Sequence, residues 1–407
     1  AQRRAGTVGR RAELIGAAAS KDRVVRPAGA LARENGDVRA GVGWWDGDRL
    51  DLRLGFAWRD DQRGRNAAFD DTWAGVRLGN WEVHASTRNE WWGPGWDGAL
   101  VLSDNARPIP RVGIRRITPH EIDVPVLRWL GPWSVSFSAG RLEGDREVEN
   151  PLLLLMRVGI APARGLEFGF SRGIQICGEG RECNLDRFAR ALGGVADLDN
   201  TSDKEDDPSN QLASLDGRWS GRFGSATSWA VYAELMGEDQ GALLLKVVSA
   251  LAGATIEGGL PAFDAGWRLR FEAADTRGGS VFGIDDPQFG ATFNHSVYRD
   301  GWSFKGRTLA HSIDSDSRLY TGEAMIMGAS GRSYRLAFRN VLLNDPALGR
   351  HKVTDTRETI NLIEMGVESP VPGGAIRTEL IWQDDQPNSP GVQDGAVRVE
   401  IGWRIRR

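Results

Sequence analysis

The stretch RLDLRLGFAW, residues 49–58, decides the fold. Its even positions are Leu50, Leu52, Leu54, Phe56 and Trp58, and its odd positions are Arg49, Asp51, Arg53, Gly55 and Ala57, with Arg59 next. Successive side chains of a strand point to opposite faces, so strict period two gives one apolar and one polar face. The same period returns in NWEVHAST (80–87), PWSVSFSAG (132–140), SWAVYAEL (228–235), GWRLRFEA (266–273), SYRLAFRN (333–340) and GAIRTELIW (374–382). It persists to AVRVEIGWRI (396–405), at the end of the chain.

A soluble sandwich or propeller and a lipid-facing barrel both produce such alternation. The barrel is favoured on four grounds. The polar face carries Arg and Glu more often than Ser and Thr, as a wet lumen tolerates. Tryptophans close the segments (Trp58, Trp73, Trp81, Trp133, Trp229, Trp267, Trp382, Trp403), where interfacial girdles belong. The last segment is amphipathic, as a closing strand must be, and no repeat of propeller length occurs. The expectation is an all-β, transmembrane antiparallel β-barrel of about 18 strands, each about ten residues long.

Bulk properties agree. The 407 residues include 52 Gly, 16 Trp and only 2 Cys, and the formal net charge is −4, which gives nucleic acid nothing to bind. The longest apolar patch is PLLLLM (151–156), too short for a membrane-spanning helix. Ala1-Gln2 reads as a mature end after a small-residue cleavage site. Before residue 38 the texture changes: RRAELIGAAAS (10–20) and RPAGALAREN (26–35) read as short helices. Residues 1–37 are therefore expected to form an α-helical plug or periplasmic cap, and residues 38–407 the barrel.

Chemistry is sparse. His84, His120, His295, His311 and His351 are scattered without metal-ligand spacing, and no nucleophile elbow or phosphate loop is present. No enzyme, metal or cofactor is expected. Cys177 and Cys183 enclose only GEGRE and read as a short-loop disulfide of an oxidising compartment. DLDNTSDKEDD (197–207) starts like a calcium loop but has Ser202 where the turn needs Gly and Pro208 where a Glu is required. It reads as a solvated surface loop. NHSVYRDGWSFKGRTLAHSIDSDSR (294–318) mixes aromatic and hydrogen-bonding side chains, as a sugar-binding surface does, though girdle aromatics would look alike.

Three stretches, in order, resemble the capsule assembly Wzi family: NEWWGPGWDGALVLSDNARPIP (89–110), GIQICGEGRECNLDRFARALGG (173–194) and YRDGWSFKGRTLAHSIDSDSR (298–318). The resemblance implies an outer-membrane barrel closed by an N-terminal helical bundle. It also implies a lectin-like protein that holds capsular polysaccharide or exopolysaccharide at the cell surface, among outer-membrane lipids and lipopolysaccharide. A diffusion porin is the alternative, since an Arg- and Glu-lined lumen suits it equally.

Within this frame, Tyr298 and Trp302 are expected to stack on the sugar, with Arg299 and Asp300 bonding its hydroxyls. Trp91, Trp92, Gly93, Pro94, Gly95 and Trp96, with Asn105 and Arg107, are expected to be structural. Two clues to the position of that turn disagree. Short connections at 46–48 and 79–80 make it extracellular. A strand count starting near residue 38 makes it periplasmic.

Overall fold

Period two becomes strand along nearly the whole chain. The computed structural model describes residues 8–20, 23–30, 32, 35–46, 49–61, 64–193, 209–238, 248–279, 281–284, 286–391 and 393–406. Ala1-Gln2 and the acidic stretch 197–207 lie outside the described residues. The strands are β1 (Val8–Ala19), β2 (Gly36–Asp46), β3 (Leu50–Asp61), β4 (Gly64–Ala68), β5 (Trp73–Leu78), β6 (Trp81–Ser86) and β7 (Arg111–Arg116). Then come β8 (Trp133–Arg141), β9 (Leu152–Ala163), β10 (Leu166–Ile176), β11 (Ser209–Phe223), β12 (Thr227–Glu238), β13 (Val248–Leu260) and β14 (Ala265–Asp275). A small hairpin, β15 (Ser303–Phe304) and β16 (Arg307–Thr308), precedes β17 (Arg318–Gly328), β18 (Ser333–Leu343), β19 (Glu358–Val371), β20 (Gly374–Gln383) and β21 (Ala396–Arg406). Among the described residues one α-helix, α1 (Leu185–Gly193), follows β10.

Neighbouring strands pair antiparallel in chain order, with β14 passing directly to β17. β21 returns to β1 in the register Leu14↔Ile405 and Ile15↔Arg404, which closes the sheet. β4 and β5 pair with opposite ends of β3 and so share one position. Nineteen strands in the sheet therefore occupy eighteen positions of a closed barrel. Closure removes the sheet edges, and a barrel wall in lipid needs that because an unpaired backbone group there has no water to turn to.

The expected N-terminal helices are corrected. Residues 8–19 form β1, paired with β2 on one side and β21 on the other. Its inward Ile15 and Ala17 pack on Ala32 of the following segment, so apolar residues occupy both faces and the alternation is muted. Ladder pairing on both edges overrides the helix propensity of its alanines. The described part of 26–35 is not helical either: Pro27, Ala28 and Gly29 form a turn closed by the Ala30 N–H to Pro27 carbonyl bond. Among the described residues the wall thus begins at Val8.

Counting β1 also reconciles the two clues about the Trp-rich turn. It follows the fifth strand position instead of the fourth, and lies at the end of the long connections 87–110, 142–151, 276–317, 344–357 and 384–395. The other end carries the tight turns 79–80, 164–165, 224–226 and 372–373, besides the longer 117–132.

Outside, the apolar face is bare: Leu54, Val112, Phe271 and Val397 are each at least half exposed, as a lipid-facing belt requires. Trp81, Trp133, Trp229, Trp267 and Trp403 ring it near the tight turns, and Trp58 and Trp382 near the long connections. Trp73 is the exception to the girdle expectation. It is 2% exposed and faces inward, stacked on His84 at 4.3 Å with the Arg115 guanidinium 4.3 Å from its ring centre. The His84 ring and the Arg115 guanidinium give the buried indole its stacking and cation–π contacts.

Candidate functional site: the cap and the lumen beneath it

At the long-connection end, the described residues of three segments fold back into the barrel mouth: 23–32, 87–110 and 276–317. Val24, Val25, Leu100, Val101, Leu102, Ile109, Trp302, Leu309 and Ile313 join inward wall residues such as Leu153, Leu155, Leu251, Val341 and Leu362 in one buried cluster. This explains PLLLLM. Leu153 and Leu155 face that cluster, while Leu154 packs with Ile174, Ile176 and Ala191 of α1.

The signature turn is anchored through its backbone and one carboxylate. Glu272 of β14 accepts hydrogen bonds from the Trp96 N–H (2.8 Å), the Asp97 N–H (2.7 Å) and the Tyr232 hydroxyl (2.6 Å). Glu234 of β12 accepts the Leu100 N–H at 3.1 Å. Asp97 is fully buried between Arg270 (3.2 Å) and Arg339 (2.9 Å). Burial opposes its ionisation, but the two guanidiniums outweigh that and hold its carboxyl far below the usual carboxylate range.

Arg23, from the segment after β1, reaches Glu364 (2.6 Å), Glu379 (2.8 Å) and Glu400 (3.5 Å), and Arg335 joins Glu364, Glu379 and Glu323. One buried ion network therefore ties two inserted segments to β14 and β17–β21. The sequence signal was the recurrent Arg and Glu on inward strand positions. Asp97 and Arg23, the two residues that the cap contributes, carried no signal of their own.

The turn's residues divide by role. Trp92 is 4% exposed and donates to Glu90 at 3.0 Å, and Trp91 donates to its own turn at the Gly95 carbonyl, 2.9 Å. Gly93 adopts φ +138°, open to glycine alone without strain, and Pro94 and Gly95 complete the bend. Asn105 is buried and donates to the Thr308 carbonyl at 2.9 Å, and Arg107 pairs with Asp70 at 3.6 Å. Trp96 differs: 38% of it is exposed, and its ring lies on the lumen side, 5.2 Å from the Arg268 guanidinium.

The 298–305 block is placed otherwise than expected for its rings. Tyr298 is 2% exposed and donates to the Cys177 carbonyl at 3.1 Å; Trp302 is fully buried and donates to the Val101 carbonyl at 2.8 Å. Gly173 leaves the space that the Trp302 indole fills, since a Cβ there would fall on the ring. A stacking platform needs an open face, so that role is corrected: both rings are keystones of the cap. Arg299 remains exposed, 3.3 Å from Glu147, and Asp300 accepts the Glu147 N–H at 2.8 Å, both on the outer side of the cap. Cys177 and Cys183 are bonded, with Cα atoms 5.0 Å apart, and the loop they close holds the Tyr298 hydroxyl.

His295 and His311 sit inside the same cap. Burial lowers each to a pKa of about 4, with Arg181 adding to the effect at His295 and Asp97 opposing it at His311. Each neutral ring accepts backbone N–H bonds at Nδ1: Val297 and Tyr298 to His295, Ile313 to His311.

Comparison with known proteins fixes the family. The family model described as capsule assembly protein Wzi matches residues 9–384, spanning β1 to β20 and every cap segment. The chain belongs to the Wzi capsule assembly family. It is an outer-membrane β-barrel. Among solved structures it is similar to Escherichia coli Wzi, described as an outer-membrane, carbohydrate-binding β-barrel involved in group 1 capsule assembly. That similarity has TM-score 0.80 at 21% identity, covering 97% of this chain and 84% of that one. A 55.8 kDa uncharacterized protein of the Klebsiella pneumoniae cps region is 27% identical over 321 residues, 78% of this chain. The match spans 60% of that protein's length. Pseudomonas aeruginosa OprD shares the barrel fold at TM-score 0.53 and 10% identity, covering 98% of this chain and 94% of that chain.

Proposed function

We propose that this Wzi-family barrel retains capsular polysaccharide or exopolysaccharide at the cell surface, binding it lectin-like on the outer side of the cap without catalysis. The observation that carries this reading is the cross-braced cap. An aqueous path needs a wet lumen, whereas here the barrel mouth is filled by apolar side chains and locked by Asp97 and Arg23. Long connections of outer-membrane barrels face outward and tight turns face the periplasm. The cap then presents a fixed outer surface, including Arg299 and Asp300, to a polymer outside the cell. The described carbohydrate binding of the E. coli relative supports the same role.

The test has two arms. Purified protein in planar bilayers should conduct no steady current, and cells lacking it should shed polymer that the restored gene retains. Steady conductance with normal polymer retention would replace this reading with the diffusion channel.

A further inference from the structure

Beneath the cap, at the tight-turn end of the lumen, lies a cavity of about 790 Å³ whose lining includes Trp96, Arg164, Arg218, Arg222, Arg268 and Glu257. Four guanidiniums face one carboxylate. Higher in the lumen the balance is different: Arg157 pairs with Asp216 at 2.8 Å, and Arg270, Arg335 and Arg339 each hold two or more carboxylates. In the cavity Arg268 pairs with Glu257 at 3.1 Å and Arg218 stands 3.9 Å from Glu167, but Arg164 and Arg222 form no ion pair among the described residues. The cavity thus concentrates positive charge in a protein whose net charge is −4.

Trp96 supplies the second element. Indole is a costly group to leave half exposed, and this one is held in place by the two N–H bonds to Glu272 instead of by burial of its ring. An indole face beside planar guanidiniums offers a C–H stacking surface and bidentate carboxylate recognition together.

We propose that this cavity is a second ligand site, entered from the tight-turn side, for an acidic saccharide: the sugar ring lies on Trp96 and its carboxylate is held by Arg222 and its neighbouring arginines. The site is separate from the outer surface of the cap and does not depend on polymer retention there.

The experiment titrates the full chain in detergent with a hexuronate trisaccharide, a neutral hexose trisaccharide and inorganic phosphate, using calorimetry. The hexuronate should bind at least about tenfold more tightly than the neutral sugar, and about 0.5 M salt should weaken it. Arg222→Gln should weaken it several-fold and Trp96→Ala about tenfold. Arg222 is exposed, so its variant tests binding without endangering the fold, and heat-modifiability on gels checks the Trp96 variant. Arg128→Ala, in the exposed 117–132 connection and outside the cavity lining, should leave this affinity unchanged. Equal binding of the neutral sugar, or hexuronate affinity untouched by both cavity variants, would overturn the assignment. So would phosphate competing fully while Trp96→Ala has no effect, because that outcome describes a bare anion site.

Discussion

The mouth of this barrel and its tight-turn end use the same inward strand positions for opposite purposes. Near the mouth those positions carry Leu153, Leu155, Leu251, Val341 and Leu362, and they meet apolar residues of the cap. Near the tight turns they carry Arg218, Arg222, Glu257 and Arg268 around a water-accessible cavity. Between them lies the belt of buried ion pairs centred on Asp97 and Arg23. The contrast shows how a charged lumen and a rigid cap coexist. Apolar burial supplies most of the cohesion, and the ion pairs position it, since a buried pair costs several kcal/mol in desolvation and stabilises chiefly by never being broken.

The largest expected effect comes from breaking that belt. Asp97→Ala leaves Arg270 and Arg339 buried beside an empty site, an error worth roughly 3–5 kcal/mol. The cap should loosen while the wall, held by closed ladders, stays intact. Protease sensitivity of the 87–110 connection should rise and bilayer current should appear, with heat-modifiability preserved. An unchanged cap would mean that the apolar cluster alone fixes it.

Acidification attacks the same cap by another route. His295 and His311 fold neutral with pKa values of about 4, below the roughly 6.5 of an unfolded histidine. Between those values the unfolded chain binds more protons, so stability rises with pH there and is lost as pH falls from 6.5 towards 4. Each ring contributes roughly 3 kcal/mol, present above the unfolded pKa. Proteolysis of the cap between pH 7 and 4.5 should accelerate, and His295→Gln should flatten that dependence. A smaller loss follows from Cys177→Ser with Cys183→Ser: about 2–2.5 kcal/mol for closing seven residues on the chain-entropy estimate. Tyr298 should lose its anchor at the Cys177 carbonyl, which near-ultraviolet circular dichroism would register.

Much of the wall was legible in the sequence because lipid on one side and water on the other impose period two. β1 was illegible for the converse reason. Its inward Ile15 and Ala17 pack on Ala32, so the second half of the strand is apolar on both faces and the alternation is muted. That one missed strand also inverted the count that placed the Trp-rich turn. The candidate site was read less well. Tyr298 and Trp302 sit among charged residues, and alternation of that kind describes an exposed platform and a buried keystone equally. Only the space left by Gly173, 129 positions away in the chain, decides for the keystone. Asp97 meets Arg270 and Arg339 across separations of 173 and 242 residues, beyond any local pattern.

The smallest effect on stability separates keystone from surface within one short block. Trp302→Ala removes a fully buried indole and its bond to Val101, which should cost about 3–5 kcal/mol and disorder the cap. Arg299→Ala removes an exposed side chain paired, among the described residues, with exposed Glu147, a change worth within about 0.5 kcal/mol. If the outer surface binds polymer, the order of functional effects differs from the order of stability. Arg299→Ala and Asp300→Ala should reduce cell-surface polymer while cap protease resistance matches the parent, because the contacts they lose within the cap are surface ones to Glu147 and the main loss is the hydrogen bond to the sugar. Trp302→Ala should lose polymer and protease resistance together. Arg299→Ala and Asp300→Ala cells retaining polymer at the parental level would move the contact elsewhere on the cap. Trp302→Ala retaining both would show that neither the indole nor the ordered cap is required.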